Sequence, residues 1–242
     1  MRVAALYDIH GNRGALEAVL TDVPDDASVV IGGDIALGPQ PVETLELLGT
    51  LGDRARWIRG NCERETAHTD DLWERRRLFT QERLDEDTRR FLEGLPETVT
   101  LDVQGLGPTL FCHGSPRSDE EIITAITSEE RLRRILEGVV ERTVVCGHTH
   151  HQFDRRVDGI RVVNAGSIGM PYEGRPGAYW ALLGPDVELR RTDYDFTAGA
   201  EAVRASGYPD PDEHVDSLFD APPSAREAAE HFEQQALAKE AR

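Results

Sequence analysis

The stretch TVVCGHTHH, residues 143–151, holds three of the chain's eight histidines. Its first half, Thr143 to Cys146, is short, apolar and β-branched, which predicts a buried strand, and Gly147 ends it. The imidazoles therefore fall just past the carboxyl end of a strand, where His148 and His150, two residues apart, can point to one side of the turn. Neutral imidazole is the commonest metal ligand. A pair of imidazoles still needs partners from elsewhere in the chain.

Four other strand-like runs end in residues able to ligate metal. Arg2 to Tyr7 leads into Asp8-Ile9-His10, Ser28 to Ile31 into Gly32-Gly33-Asp34, Ala55 to Arg59 into Gly60-Asn61, and Thr109 to Cys112 into His113-Gly114. Helical patterns intervene, such as Ala15-Leu16 with Val19-Leu20, Val42 with Leu45 and Leu48, and Leu132 with Leu136. Alternation of this kind implies parallel pairing and an α/β sheet, whose ligands bind at the carboxyl ends of the strands. Taken singly, Asp8 or Asp34 would serve as a helix or turn cap and Gly60-Asn61 as an ordinary turn. Five such accidents at five strand ends are improbable together. Mixed carboxylate, amide and imidazole donors suit manganese, iron, zinc or similar ions better than an all-oxygen calcium or magnesium cage. Two such ions about 3.5–4 Å apart can hold a hydroxide, clamp a phosphoryl group and stabilise attacking and leaving oxygens.

Composition narrows the function classes. The 242 residues suffice for one large domain or a domain with appendages. Without an apolar run near the ~20 residues that span a bilayer, and with Met1-Arg2 leading straight into a strand, a soluble cytoplasmic protein with no membrane partner is expected. A net charge of −18 opposes binding to nucleic acid backbones. Three cysteines, at 62, 112 and 146, form no C-x-x-C pair, so neither a disulfide framework nor a thiolate zinc site is indicated. An anionic substrate then needs a local positive charge, which bound metal ions supply.

Asp8-Ile9-His10-Gly11-Asn12, Gly33-Asp34, Gly60-Asn61, His113-Gly114 and Gly147-His148-Thr149-His150 together resemble the five ordered blocks of the calcineurin-like metallophosphoesterases. The likeness runs from residue 1 to about 192. It is nearest the YfcE-like phosphodiesterase branch, which carries D-x-H-G-N early and N-x-G-S late, here Asn164-Ala165-Gly166-Ser167. The resemblance implies a two-sheet mixed β-sandwich flanked by helices. It implies one divalent transition metal on Asp8, His10, Asp34 and His150, and a second on Asp34, Asn61, His113 and His148, with Asp34 bridging. Asp34, Asn61 and His113 would carry the catalysis, and Asn61 with the amides after His10 would hold phosphate oxygens. His151 has no counterpart and is assigned to an outer shell or to solvent. Asn12, Arg64 and Arg117 are further candidate substrate contacts, with surface charge the favoured reading for the two arginines.

One position departs from the family pattern. Many members carry His-Asp after Gly-Asn, the histidine protonating the leaving oxygen and the acid orienting it; this chain has Cys62-Glu63. The YfcE-like branch resembles the chain in having cysteine there. A thiol with a reference pKa of about 8.5 is a poorer proton donor at neutral pH than imidazolium.

Residues 64–93 are dense in charge with sparse apolar anchors, which predicts amphipathic helices over the rim of the site. Asp154–Val163 and Ala178–Arg191 read as hairpins that complete a second sheet. Domain organisation is then 1–192, metallophosphoesterase, and 193–242, an acidic extension with twelve Asp or Glu against four Lys or Arg. In the extension, Ser224 to Glu227 has the form of a capping box opening a helix to about Lys239, with Ala228, Phe232 and Leu237 as a thin apolar stripe. It is expected to dock on the body or on a partner subunit, in which case the chain is a homo-oligomer, and to take no part in the chemical step.

The function expected is a phosphodiesterase acting on a small phosphorylated substrate through a metal-bridging hydroxide. Two alternatives stay open: a phosphatase or pyrophosphohydrolase of nucleotides or dinucleoside polyphosphates, and a non-catalytic metal-binding scaffold of the same fold.

Overall fold

Strand residues of this chain alternate between two dry environments, and that alternation builds the architecture. The computed structural model describes residues 1–64 and 70–240. In chain order the elements are β1 (Val3–Leu6), α1 (Arg13–Asp22), β2 (Ser28–Ile31), α2 (Pro41–Gly49), β3 (Ala55–Trp57), α3 (Asp71–Gln81), α4 (Glu86–Glu93), β4 (Thr98–Val103), β5 (Gly107–Cys112), α5 (Glu129–Ile135), β6 (Thr143–Cys146), β7 (Phe153–Val157), β8 (Ile160–Asn164), β9 (Ala178–Leu183), β10 (Val187–Thr192), α6 (Phe196–Ala205), α7 (Pro211–Val215) and α8 (Ala225–Glu240). Two five-stranded mixed sheets form, in the orders β10-β9-β1-β2-β3 and β4-β5-β6-β8-β7.

Val3, Ala5 and Tyr7 enter the layer between the sheets and meet Phe111, Val145 and Val163 of the facing sheet. Ala4 and Leu6 point the opposite way, onto Leu16 and Val19 of α1 and Leu48 of α2. On the far side of the second sheet, Val144, Cys146 and Val162 pack against Leu132 and Ile135 of α5. Strands buried on both faces read as continuous apolar runs rather than alternating ones, which is how β1, β2 and β6 appear in the sequence. Tyr7 donates its hydroxyl to the Val145 carbonyl at 3.1 Å and so ties the two sheets together. The five strands that lead to the chemistry-bearing residues are parallel within their own sheets, β1 with β2 and β3, and β5 with β6. Their carboxyl ends consequently open at the same edge of the sandwich.

The two expected hairpins exist but complete different sheets. β7 and β8 join the sheet of β5 and β6, whereas β9 and β10 extend the sheet of β1. β4, a half-exposed edge strand whose Thr and Asp residues mask its pattern, is an addition. The helices expected over 64–93 are α3 and α4; residues 65–69 of that span lie outside the described residues. No helix among the described residues is long and apolar enough to cross a membrane.

The acidic extension docks on the body. Ser224 and Glu227 exchange the capping-box hydrogen bonds at the start of α8, Ser224 N–H to Glu227 Oε2 at 3.0 Å and Glu227 N–H to Ser224 Oγ at 3.3 Å. Ala228, Ala229 and Ala236 are buried on its inner face, while Leu237 is 54% exposed, so Ala236 takes the place expected of Leu237 in the stripe. Glu233 is the main polar anchor: it accepts from Thr127 Oγ1 at 2.7 Å and Thr124 Oγ1 at 3.0 Å and faces Arg131 at 3.4 Å. Arg131 also reaches Glu240 at 2.7 Å and the Ile122 carbonyl at 2.9 Å. Glu233→Ala should strip two hydroxyls and a buried guanidinium of one acceptor and cost about 2 kcal/mol. In a thermal melt that is a drop of about 4–8 °C for a domain of this size; an unchanged midpoint would show that α8 is not held at Glu233.

Candidate active site

Seven non-glycine residues have left-handed backbone among the described residues, and five of them are Asp8, His10, Asp34, His148 and His150, with φ of 50°, 47°, 50°, 65° and 56°. Such conformations cost about 1–3 kcal/mol each and persist only where the surroundings over-determine them. At each strand end the left-handed turn directs a polar side chain into the junction between the sheets. Close backbone approach is part of the arrangement. A Cβ on Gly38 would collide with the His10 carbonyl, and one on Gly60 with the Asp34 carboxylate.

The side chains that meet there are Asp8, His10, Asp34, Asn61, His113, His148 and His150. Two groups have their ligand atoms within 4.8 Å of one another: Asp8, His10, Asp34 and His150, and Asp34, His113 and His148. Asp34 belongs to both. Its Oδ2 faces His10 Nε2 at 3.8 Å and its Oδ1 faces His113 Nε2 at 3.4 Å. Asp8 Oδ1 faces His150 Nε2 at 3.3 Å and His113 Nε2 at 3.8 Å. Asn61 Oδ1 lies 3.2 Å from His113 Nε2 and so flanks the second group.

Three of the imidazoles are fixed in one tautomer. The Nδ1 atoms of His10, His113 and His150 lie 3.0, 2.8 and 2.7 Å from the carbonyls of Leu37, Gly32 and Met170, positions in which Nδ1–H donates and Nε2 is left as the free lone pair. His10 Nε2 and His150 Nε2 then face each other at 3.2 Å. With both rings neutral in that tautomer, the two lone pairs repel at that distance, and a cation between them and the carboxylates would remove the repulsion. Asp8 Oδ1 is buried without a hydrogen-bond partner, as is His148 Nδ1, so donor atoms remain for an ion. The residues present fit divalent cations.

Electrostatics agree. Burial disfavours charge on His113, but Asp34 and Asp8 outweigh it and push the imidazole up to about 10. Burial and neighbouring His113 push His148 down to about 4. Burial works against the charge of Asp34 too, yet the surrounding imidazoles hold its carboxyl well below the usual range.

Glu63 holds the scaffold beneath. Its carboxylate accepts the backbone N–H of Asp34, Ile35 and Gly60, each at 2.8 Å, joining the loop after β2 to the loop after β3. Burial and the charge of Asp34 push it up to about 7, against the pull of those amides. It is therefore occupied by backbone and does not orient residue 62. The Cys62 thiol donates to Asp34 Oδ2 at 3.0 Å and its amide to Asp34 Oδ1 at 2.9 Å, and burial followed by the Asp34 charge raises the thiol far above its ordinary value.

Other expected positions lie elsewhere. Asn12 caps α1, accepting Ala15 N–H at 3.1 Å and donating to Tyr194 and Gly169, so both ends of its amide are used. Arg64 pairs with Asp119 and Glu120, and Arg117 with Glu121 and the Arg134 carbonyl. None of these three lines the cavity over the candidate metal ligands. His151 is buried, not solvated: Nδ1–H donates to the Thr149 carbonyl at 2.9 Å and Nε2 accepts from Ala125 N–H at 3.4 Å.

The cavity, about 210 Å³, is lined by the polar residues His10, Asp34, Asn61, Cys62, His148 and His150 and by the apolar and aromatic residues Leu37, Trp73, Tyr172 and Phe232. The aromatic lining is new. Phe232 belongs to α8, so the extension, expected to take no part in the chemical step, lines the cavity with one ring; a thin apolar stripe in an acidic tail carries no signal of that contact.

A two-sheet α/β sandwich with carboxylates and imidazoles gathered at adjoining strand ends is a scaffold for metal-assisted hydrolysis. The profile of the calcineurin-like phosphoesterase superfamily domain matches residues 1–184, and the chain belongs to that superfamily. It is similar to a metallophosphoesterase of Sphaerobacter thermophilus, 26% identical, with a TM-score of 0.75 over 90% of this chain and 98% of that one. The hypothetical protein PH1004 of Pyrococcus horikoshii is 22% identical, with a TM-score of 0.79 over 90% and 97% of the two chains. The uncharacterized protein MJ0912 of Methanocaldococcus jannaschii is 22% identical over 86% of this chain and 94% of its own length. The share covered in the two solved structures exceeds the first 192 residues, so their likeness runs into the extension.

Glu63→Gln should remove one acceptor oxygen and set an NH₂ against backbone amides. Because both Asp34 and Asn61 hang from the loops it joins, affinity for Mn²⁺ should fall about 10–100-fold, as outer supports of metal ligands typically do when lost. Calorimetric titration of the variant decides it, and an unchanged affinity would limit Glu63 to packing.

Proposed function

We propose that the chain is a phosphodiesterase with a dinuclear centre, in which Asp8, His10, Asp34 and His150 hold one divalent transition metal and Asp34, Asn61, His113 and His148 the other. The observation that supports the reading is the double membership of Asp34, whose Oδ2 faces His10 and whose Oδ1 faces His113. When bound, such a pair of cations activates water as a nucleophile and neutralises charge developing on the phosphoryl oxygens. Asp34 and Asp8, both buried, would compensate that positive charge. The Asn61 amide flanks the second group, where it can also fix a phosphate oxygen. His10, His113 and His150 are held by backbone carbonyls, so the donor set is preorganised and little reorganisation accompanies binding.

Asp34→Asn weakens a ligand to both groups at once. The expected result is loss of more than about 100-fold in turnover of an aryl phosphodiester, beyond what loss of an outer support costs, with both equivalents of metal lost on dialysis. Retained metal and activity would remove the bridging role.

The proton for the leaving group has no evident source in residue 62. A thiol raised by burial and by Asp34, with Glu63 committed to three amides, is a poor acid. The rate should accordingly fall steeply with leaving-group pKa, aryl esters far ahead of alkyl ones. Cys62→Ala should stay within about threefold of wild type, whereas removal of a working general acid costs about 10²–10⁴-fold. Cys62→His should not flatten the slope, because Glu63 is not available to orient the ring. A shallow wild-type slope with a severe loss in Cys62→Ala would make the thiol a participant.

A further inference from the structure

The cavity has two unlike sets of lining residues, and the second is unused by the chemistry above. His150 stacks on Tyr172 at 4.9 Å between ring centroids and 23° between planes. Tyr172 lies near-parallel to Phe232 at 6.2 Å, and Phe232 stands 6.4 Å from His148. Tyr172 and Phe232 thus bridge the rings of His150 and His148, with Trp73 on the same cavity. Trp73 is braced from behind: the Arg76 guanidinium lies 5.3 Å from its ring and 5.3 Å from that of Tyr208, in the extension. Arg76 itself is 4% exposed. The extension therefore supplies one ring of the wall and buttresses another.

Among the described residues, no Lys or Arg lines this cavity. A phosphate beside the cations would be compensated by them, but each further phosphate of a polyphosphate would meet ring faces without a cationic partner. A flat, uncharged group fits the same wall, since an aromatic face offers dispersion and quadrupole contact to any ring laid on it. The volume suits one small ligand rather than a polymer.

We propose that Trp73, Tyr172 and Phe232 form the subsite for a nucleobase carried by the phosphoester on the side away from the leaving group, so that the substrate is a nucleoside phosphodiester rather than a simple alkyl one or a polyphosphate. This rests on the phosphodiesterase reading of the metal centre, which it deepens. Phe232 determines specificity; it is not placed in the chemical step.

The test uses the full chain loaded with Mn²⁺ and two diesters with one leaving group, thymidine 5′-(p-nitrophenyl phosphate) and methyl p-nitrophenyl phosphate, so that bond breaking is held constant. Wild type should show a KM about 10-fold lower for the thymidine diester. Phe232→Ala, and Phe232→Leu, which keeps apolar bulk, should abolish that ratio with kcat retained, and Phe232→Trp should keep it. Variants that leave the ratio untouched, or depress both substrates alike, overturn the subsite. Calorimetry of thymidine 5′-phosphate against inorganic phosphate separates the two claims. If no diester is cleaved yet the nucleotide binds more tightly in a Phe232-dependent way, the subsite stands and the phosphodiesterase reading falls. Equal binding of nucleotide and phosphate to wild type overturns the subsite whatever the activity.

Discussion

Asp8 and Asp34 are carboxylates with 0% and 3% of their surface exposed, set among four imidazoles that are themselves largely shut from water. Taking an ionised carboxylate out of water costs several kcal/mol even after relaxation, and the cost is recovered only by opposite charge at close range. Imidazoles with Nδ1–H spent on backbone carbonyls cannot supply that charge without picking up a proton at Nε2, the atom that points inward. The cluster is consequently a receptor for cations first, and its remaining features serve to hold those atoms still.

What holds them is mostly backbone. Left-handed turns at five ligand candidates and the amide-bound carboxylate of Glu63 fix the loops over a sandwich whose central strands β1, β2 and β6 are dry on both faces. A rigid core of this kind tolerates strained turns at its edge because the strands cannot shift to relieve them. Parallel strand pairing decides where the turns gather, since β1, β2, β3, β5 and β6 all end at one edge. Fold and chemistry are thus linked through direction: reversing any one of these strands would carry its ligand to the opposite side of the molecule.

Much of this was legible in the sequence for a physical reason. β1, β2 and β6, buried on both faces, are continuous apolar runs, and each of the five ligand-bearing strands stops at a glycine or a polar residue, so both the strand and the residue at its tip could be read locally. The two hairpins were visible through their turns, but not the sheet each would join, because register depends on partners far along the chain. Glu63 stands where many family members carry an orienting acid, and here it is an amide acceptor; nothing in a Cys-Glu pair reveals which way the carboxylate turns. Arg64, Arg117 and Asn12 were plausible contacts by type, and each is satisfied by a neighbour instead. The aromatic wall was illegible for a different reason. Trp73, Tyr172 and Phe232 lie on separate elements, and only the docking of the extension through Glu233 and Arg131 brings the last of them to the cavity.

The central claim is that Asp34 joins two cations into one centre. Metal-free protein titrated with Mn²⁺ and followed by electron paramagnetic resonance addresses it directly. Two equivalents should bind per chain and yield the spectrum of an exchange-coupled pair. Binding of a single equivalent, or of two that keep the six-line signal of isolated ions, would contradict it.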